Sequence, residues 1–373
     1  MFRACAIMAI HNEVDIIKES VSKLISQGVD VYLIDNNSTD GSIEAVSHLV
    51  GKGIVDIEVL KFFEDGKEVY DWTSILRRKE ALSKSLNYSW YLHVDADEIR
   101  YSPWKGSSLC EGLERVNFEG YNLVDFKLFN FRLTNEYSFD ADFENSMPLF
   151  SLAEEFNSLQ VKAWKKNDSI QLANTGGHLA ELNSGNIYPL KFILKHYPIR
   201  SASHGHKKVF LERKLRFSDF EKSKGWHVQY NDFVDNNDEQ FFYNTHYLFR
   251  FDFLEQQAKI YEEGIALITS ANSPSTSVSL VECLSNLRLR YASHLIESGF
   301  SETEVVDIIS FAQDIFNIII ANEGPIIKVD IRHKIIIDGY IASVANLLYL
   351  KGDARAKSQL AKAKLIYSND SVN

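Results

Sequence analysis

The sequence predicts an α/β fold in which a Rossmann-like mixed sheet is flanked by helices and followed by a helical C-terminal region. Three observations lead to this prediction. Short apolar runs alternate with helix-like segments over the first hundred residues. Those runs are mostly apolar rather than strictly alternating, which is typical of parallel strands buried on both faces. Beyond about residue 236 the apolar positions recur at helical spacing.

The first four predicted strands are separated by helices, in the order β-α-β-α-β-α-β. The predicted strands cover residues 4–10, 31–34, 54–60 and 90–94. The predicted helices cover residues 14–25, 42–49 and 75–86. Ligands of such open sheets bind beyond the carboxyl ends of the strands. Chemistry is therefore expected at residues 11–13, 35–40 and 62–71, and just after residue 94.

The pattern changes after residue 120. Residues 124–133 alternate between apolar and polar side chains, and residues 187–194 do so more loosely. This alternation predicts antiparallel strands that extend the sheet. A helix is predicted over residues 202–220. The later predicted helices cover residues 251–268, 279–297, 302–320 and 334–365.

Charge and composition exclude several classes of protein. The chain has 40 Lys and Arg against 51 Asp and Glu, a formal net charge of -11. This argues against nonspecific nucleic-acid binding, which relies on cations that neutralise phosphates. The 3 cysteines are scattered, so neither a disulfide framework nor a zinc cluster is expected. No leader pattern is present, and no apolar run approaches the ~20 residues of a membrane span. We expect a cytoplasmic protein, at most peripheral at the inner face of the membrane.

The strongest chemical signal is Asp95-Ala96-Asp97-Glu98, which directly follows the fourth predicted strand. Two carboxylates two residues apart at a strand end can face one cavity. Their oxygens suit Mg²⁺ or Mn²⁺, which keep positions open for substrate phosphates. A bare Asp-x-Asp is also common in polar loops. Its place after the fourth strand of an alternating series favours the metal site.

A second polar cluster, Asp35 to Gly41, ends the second predicted strand. Its residues are turn formers, and Asp40 can cap the helix that follows. A carboxylate at this edge can also accept hydrogen bonds from the hydroxyl and N–H groups of a base or ribose. Asp40 and Gly41 can therefore shape the turn while Asp35 binds a ligand.

Together these motifs resemble the family-2 glycosyltransferases of the GT-A fold. The resemblance rests on Ile10-His11-Asn12-Glu13, on the turn from Asp35 to Gly41 and on Asp95-Ala96-Asp97-Glu98. Three later stretches look like a bacterial subgroup of that family: Gly177-His178, His196-Tyr197-Pro198-Ile199-Arg200-Ser201 and Gly225-Trp226-His227. The resemblance implies a GT-A catalytic domain at 1–235, with a nucleotide-binding half at 1–100 and an acceptor half at 101–235, before a helical region at 236–373.

The resemblance also implies an activity. We expect a hexosyltransferase-type enzyme that moves a sugar, with inversion, from a UDP- or GDP-type nucleotide sugar to a saccharide or lipid-linked saccharide. Its cofactor would be Mn²⁺ or Mg²⁺. The product would belong to a bacterial surface polysaccharide or glycoconjugate. The C-terminal helices could form a homo-oligomer interface.

Site residues follow from the same resemblance. The nucleotide would contact Asn12, Glu13, Asp35, Asn36, Arg77, Arg78, Asp95 and Arg200. The metal would be held by Asp95 and Asp97, with His196 as the third ligand and His178 as the second choice. The acceptor would lie against His178, Trp226 and Tyr230.

The catalytic base stays open, because the Glu-Asp pair usual in the family has no copy in this region. An inverting transfer needs one carboxylate to take the proton of the acceptor hydroxyl. The candidates are Asp142, Glu144 and Glu181. The neighbouring cations Lys207 and Lys208 fit a solvated helix face better than a phosphate site.

Two other functions compete with this one. A sugar nucleotidyltransferase also uses strand-end carboxylates with Mg²⁺, but its phosphate loop would be basic and rich in Gly, whereas residues 11–15 are acidic. A noncatalytic nucleotide-sugar-binding or scaffold protein with a GT-A core would explain the missing base. The intact Asp95 and Asp97 count against it.

Overall fold

The computed structural model describes residues 2–135, 143–152, 159–213, 233–235, 237–253, 255–257, 259–260, 276–279 and 326–329. The chain forms two compact units. The first comprises Met1–Ser102, Ser108–Tyr188 and Phe192–Phe251. The second comprises Pro103–Ser107, Pro189–Lys191 and Asp252–Asn373. The first unit contains the large sheet and every candidate site residue that the structure describes.

The elements of the first unit follow one another in chain order. Its strands are β1 (Ala4–Ile10), β2 (Val29–Asp35), β3 (Ile54–Val59), β4 (Phe62–Glu64), β5 (Lys67–Val69), β6 (Trp90–Asp95), β7 (Glu98–Tyr101), β8 (Leu123–Phe131), β9 (Leu149–Leu152), β10 (Val161–Lys165), β11 (Phe192–His196) and β12 (Phe249–Arg250). Its α-helices are α1 (Ile17–Ser26), α2 (Ser42–Val46), α3 (Trp72–Ser85), α4 (Leu109–Phe118), α5 (Phe143–Ser146) and α6 (Ala202–His206). Short 3₁₀ helices span Ser47–Leu49, Ala173–Thr175, Asp238–Phe241 and Thr245–Tyr247.

One half of the ten-stranded sheet is parallel, with β6, β1, β2 and β3 side by side in that order. Ile10 pairs in register with Asp35, and Ala9 pairs with Asp95. The carboxyl ends of β6, β1 and β2 therefore meet at one edge of the sheet. All four predicted strands of the first hundred residues are present, and the α/β class is confirmed.

The other half of the sheet is largely antiparallel. β10 runs antiparallel to β6 and β8, and β9 runs antiparallel to β8 and β12. The predicted antiparallel extension is confirmed for β8 to β10. The strand predicted at 187–194 is β11, which begins at Phe192 and runs parallel to β8 and antiparallel to β7. The expected direction relative to β8 was wrong, because alternation reports which face is buried and not how the neighbour runs.

Helix ends follow local capping chemistry. The predicted start of the third helix at residue 75 is three residues late, because the Asp71 carboxylate caps α3 by accepting the Ser74 N–H at 2.9 Å. Further along, Ser108 and Glu111 form a capping box at the start of α4. Among the helices of the described residues, none has the length and apolarity needed to cross a membrane.

The helix predicted over 202–220 is described only in its first part. It consists of α6 followed directly by a π-helical segment, Lys207–Arg213. Most residues of the four later predicted helices lie outside the described residues, so the helical C-terminal region stays a prediction. Two short strands of the second unit, β13 (Thr276–Ser279) and β14 (Ile326–Val329), pair antiparallel. The helical pattern did not predict that pair.

Candidate functional site

Polar residues collect where three neighbouring parallel strands end. β1 is followed by Asn12 and Glu13, β2 ends at Asp35, and β6 ends at Asp95. Since β1 lies between β2 and β6, the predicted nucleotide contacts on these strands share one edge of the sheet. This is the edge at which open α/β sheets bind their ligands.

The loop after β1 is tied to the turn after β2. The Asn12 N–H donates to Ser38 Oγ (3.0 Å), and Asn12 Oδ1 accepts from the Thr39 N–H (2.8 Å). His11 Nδ1 lies 2.8 Å from the Asn36 carbonyl oxygen. Asn12 has a left-handed φ of 56°, a conformation that Asn adopts more readily than most residues. These bonds hold the loop in one conformation at the strand edge.

Asp35 is the last residue of β2 and is buried at this edge of the sheet. Its side chain accepts the Ser38 N–H at 3.1 Å, and the residue is 2% exposed. Burial raises the pKa of Asp35, although the bonds from Ser38 oppose the rise. Asp40 instead shapes the turn by accepting the N–H groups of Val14 (3.1 Å) and Ser42 (3.0 Å). Asp35 and Asp40 thus have different roles in one turn.

The family model described as Glycosyl transferase family 2 matches residues 5–64. This family-2 segment contains β1, β2 and the loops that follow them. The family-2 resemblance inferred from the motifs is therefore confirmed over this stretch of the chain. No curated protein sequence matches this chain.

Solved structures of S. aureus TarS are similar at a low level. One TarS crystal structure is 12% identical over 55% of this chain and 38% of that chain, with a TM-score of 0.33. The structure of TarS 1-349 in complex with UDP is 10% identical over 94% of this chain and 92% of that chain, with a TM-score of 0.31. In the first comparison the match spans less than half the length of the TarS chain.

Beyond the family-2 segment, the stretch from the end of β6 to the start of β7 carries three carboxylates that each face a buried cation. Lys162 Nζ lies 2.6 Å from Glu98 Oε1 and 3.8 Å from Asp95 Oδ2. Lys208 Nζ lies 2.7 Å from Asp97 Oδ2. Asp95 keeps 33% of its side chain exposed, against 10% for Asp97. Asp95 is thus the more open of the two predicted metal ligands.

The cations keep these carboxylates ionised. Burial opposes ionisation, but Lys162 and Lys79 outweigh it and hold the pKa of Asp95 below its ordinary value. In the same way Lys208 and His196 hold the pKa of Asp97 well below its ordinary value. A carboxylate must be deprotonated to bind a metal ion. Both groups meet that requirement at neutral pH.

The structure brings His196, the predicted third metal ligand, next to Asp97. Its Nε2 lies 3.7 Å from Asp97 Oδ2, and its Nδ1 lies 2.8 Å from Asn130 Oδ1. An Nδ1 proton donated to Asn130 would leave the Nε2 lone pair for a metal ion, which is the tautomer of a metal-ligating histidine. Two carboxylates and one imidazole leave coordination positions for phosphate oxygens.

Asp95, Asp97 and His196 do not form a group whose donor atoms all lie within 4.8 Å of one another. Of the described residues, Glu13, Asp15 and His204 do form such a group. Arg200 lies among them. It donates to Glu13 Oε2 (2.6 Å) and to both Asp15 oxygens (2.7 and 2.8 Å), and its Nη2 lies 2.9 Å from His204 Nε2. Arg200 is only 1% exposed. Its guanidinium already balances the charge of this group, which therefore needs no metal ion.

The remaining predicted nucleotide contacts are dispersed. Arg77 is exposed on α3. Arg78 Nε donates to both carboxylate oxygens of Glu58 on β3, each at 3.0 Å. Asn36 Nδ2 donates to the Leu60 carbonyl at 3.0 Å. The roles of Arg77, Arg78 and Asn36 at a nucleotide stay predictions.

Lys79, the residue after Arg78, was not predicted from the sequence pattern. Its Nζ is fully buried beneath β6, 2.8 Å from His93 Nδ1 and 3.1 Å from the Val94 carbonyl oxygen. Burial lowers the pKa of Lys79 to about 7. A usable signal was present: Lys79 follows Ile75 by four residues and precedes Leu82 by three, so it lies on the apolar face of the helix.

The structure leaves the base unassigned. Glu144 accepts from Tyr101 (2.5 Å), from Lys195 (2.6 Å) and from Lys23. Burial would raise its pKa, but Lys195 and Lys23 hold it below the ordinary value, which makes Glu144 a weak base. Glu181 is exposed and bridges to Gln171 through its backbone. Asp142 lies outside the described residues.

The acceptor side is only partly described. His178 is exposed, and its Nδ1 lies 3.3 Å from Gln160 Nε2. The other two predicted acceptor contacts, Trp226 and Tyr230, lie outside the described residues. All three assignments stay predictions.

Proposed function

We propose that this protein is a glycosyltransferase that transfers a sugar from a UDP- or GDP-type nucleotide sugar to a saccharide or lipid-linked saccharide. The observation that carries the proposal is that Asp35 and Asp95 end the two strands on either side of β1, at the same edge of the sheet, with Asp97 in the turn directly after β6. The family-2 match over residues 5–64 supports the same class of reaction.

In this proposal two sets of residues at the carboxyl edge of the sheet bind different parts of the nucleotide-sugar donor. The loop of Asn12 and Glu13 and the carboxylate of Asp35 bind the nucleoside through fixed acceptors. Asp95, Asp97 and His196 would hold Mn²⁺ or Mg²⁺. The ion, when bound, neutralises the charge that develops as the nucleotide leaves. Lys162 keeps Asp95 ionised for that task from 3.8 Å away.

The finer assignments rest on the resemblance to a bacterial subgroup. We infer an inverting, hexosyltransferase-type transfer in surface polysaccharide or glycoconjugate synthesis, at the cytoplasmic face of the membrane. The base would be Asp142, Glu144 or Glu181, and the acceptor would lie against His178, Trp226 and Tyr230. Self-association would use the C-terminal region.

A calorimetric titration tests the donor site. UDP, GDP and their sugar conjugates are titrated into the full chain with Mn²⁺, with Mg²⁺ and with chelator. Wild type is compared with Asp97→Asn, and with Asp56→Asn as a matched control because Asp56 is exposed on β3. We expect metal-dependent binding of one nucleotide class in wild type and Asp56→Asn, and loss of it in Asp97→Asn.

Absence of binding by every nucleotide under every metal condition would contradict the proposal. Binding without release of nucleoside diphosphate from the sugar conjugate, in the presence of saccharide acceptors, would favour a noncatalytic nucleotide-sugar-binding protein. Release of pyrophosphate when a nucleoside triphosphate and a sugar phosphate are supplied would favour a sugar nucleotidyltransferase.

A further inference from the structure

Lys208 differs from the solvated lysine that its sequence context predicts. It lies on the π-helical segment after α6, is 4% exposed, and donates to Asp97 Oδ2 at 2.7 Å and to the Pro198 carbonyl at 3.0 Å. Its neighbour Lys207 keeps 41% of its side chain exposed. The fold therefore places one lysine of the segment in the site and one at the surface.

The segment that carries Lys208 is tied to the loop after β1 on both sides of that residue. Upstream, Arg200 donates to Glu13 and Asp15. Downstream, Glu212 Oε1 accepts from Asn12 Nδ2 at 2.7 Å. Because both flanks are tied to the same loop, the Lys208 ammonium is held at the Asp-x-Asp rather than left free to sample solvent.

The ammonium and a metal ion would compete for one oxygen. Asp97 Oδ2 faces Lys208 Nζ at 2.7 Å and His196 Nε2 at 3.7 Å. A divalent ion bound to that oxygen would lie roughly 2.1 Å from it. The ion and the Lys208 ammonium would then be neighbours on the same carboxylate, and two neighbouring cations repel strongly in a site screened from water. Each of the two cations therefore weakens the binding of the other at the Asp97 carboxylate.

We propose that Lys208 makes metal binding at Asp97 conditional on the nucleotide. Without nucleotide, the ammonium neutralises Asp97 and keeps metal affinity low. When a nucleoside diphosphate enters, its phosphate oxygens replace Asp97 as the partner of the ammonium, and the carboxylate becomes available to the ion. This inference rests on the proposed donor site and adds a residue and an order of binding to it.

The side chain suits this exchange. Lysine carries a compact charge on a flexible four-carbon stem, so a small rotation moves the ammonium between two anionic partners. Charge-assisted bonds to phosphate are as favourable as those to carboxylate. Linkage then requires that the nucleotide raise metal affinity and that the metal raise nucleotide affinity by the same factor.

The test begins with Mn²⁺ alone, titrated into the full chain and followed by the electron paramagnetic resonance signal of the free ion. Wild type is compared with Lys208→Met, and with Lys207→Met as the neighbouring control. We expect Lys208→Met to bind Mn²⁺ at least about tenfold more tightly than wild type, within the usual range of site coupling. Lys207→Met should stay within about twofold of wild type.

A second titration measures the coupling itself. UDP and GDP are titrated with chelator and with saturating Mn²⁺. We expect Lys208→Met to bind the preferred nucleotide several-fold more weakly than wild type in chelator, and to gain less affinity from Mn²⁺. Because UDP and GDP chelate Mn²⁺ themselves, the difference in gain between variant and wild type is the informative quantity.

Equal Mn²⁺ affinity of wild type and Lys208→Met would overturn the inference and leave the proposed donor site intact. Failure of every nucleotide to bind wild type would overturn the proposed function and with it the conditional step, whatever the metal titration shows. Thermal unfolding checks that Lys208→Met is folded. If it is not, Lys208→Gln, which keeps a hydrogen-bond donor, takes its place in both titrations with the same expected results.

Discussion

The Arg200 guanidinium donates to the Glu13 carboxylate at 2.6 Å, across 187 positions of the chain. It also bonds both oxygens of Asp15, so one buried cation holds two acids of the loop after β1. Burial alone would lower the pKa of Arg200, but Glu13 and Asp15 raise it above the ordinary value. Arg200 therefore stays charged and joins the segment after β11 to the nucleotide edge.

Loss of this guanidinium should cost considerable stability. We expect Arg200→Gln to lower the free energy of unfolding by about 3–5 kcal/mol, because the buried Glu13 carboxylate loses its guanidinium partner. Urea denaturation measures the change. Arg115→Gln is the control, since Arg115 is 44% exposed and pairs with Glu119 on the surface of α4, an arrangement that contributes at most about 1 kcal/mol. Equal losses in the two variants would contradict the clamping role of Arg200.

Lys79 should make stability depend on pH. Burial lowers its pKa from 10.5 to about 7 in the folded protein. Between these values the unfolded chain binds a proton that the folded protein does not, so the free energy of unfolding rises with pH across that window. The slope from this one group is at most about 1.4 kcal/mol per pH unit.

Lys79→Met should remove that slope. Urea denaturation at pH 7, 8 and 9 compares the variant with wild type, and the quantity of interest is the difference between the two curves. We expect the advantage of wild type to grow with pH. Parallel curves would show that Lys79 titrates normally in the folded protein.

Gly177 supports the buried histidine of β6. A Cβ at this position would lie 2.8 Å from His93 Nε2 and 3.1 Å from Leu76 Cδ2, and Gly177 has a φ of +89°. We expect Gly177→Ala to be destabilising both through its backbone conformation and through overpacking, each about 1–3 kcal/mol. Gly120→Ala isolates the backbone effect, because Gly120 has a φ of +86° and a Cβ added there would meet nothing within 4 Å. Thermal or urea unfolding should show that Gly177→Ala is less stable than Gly120→Ala by at least about 1 kcal/mol.

Asn130 should tune metal binding through His196. Its Oδ1 lies 2.8 Å from His196 Nδ1, so Asn130→Leu frees the ring to rotate and to change tautomer. In the presence of nucleotide, we expect Mn²⁺ affinity to fall by about tenfold or more, as for other partners of metal-ligating histidines. Asn174→Ala is the control, because Asn174 is exposed and bonds only weakly to Gln171 at 3.4 Å. Unchanged Mn²⁺ affinity in Asn130→Leu would argue against His196 as a ligand.

Much of the first hundred residues was predictable from local pattern. The run Ala4–Ile10 is β1 from end to end, and Asp95 and Asp97 were recognised at the end of β6. These predictions succeed because a buried strand and its end can be recognised from a few consecutive residues: an apolar run marks the strand, and polar residues mark its end. The resemblance to family-2 glycosyltransferases suggested a role for each motif. The match of the family model to residues 5–64 falls within these first hundred residues.

The partners of the charged residues were not predictable in the same way. Lys208 was expected on a solvated face, whereas the structure buries it against Asp97. Arg200 was predicted to contact the nucleotide, and its ion pairs with Glu13 and Asp15 were not foreseen. A charge run on a helix does not reveal which of its members the fold will turn inward.

The sequence by itself determined the α/β class, the order of the parallel strands along the chain and the edge at which carboxylates collect, because periodicity and strand-end chemistry are local properties. Only the tertiary structure decided which cation neutralises which acid. The pair of Lys208 and Asp97 is separated by 111 positions, and that of Arg200 and Glu13 by 187. Such pairs form where the sheet and its connections bring distant segments within a few ångströms of each other. Local sequence patterns do not predict which segments these are.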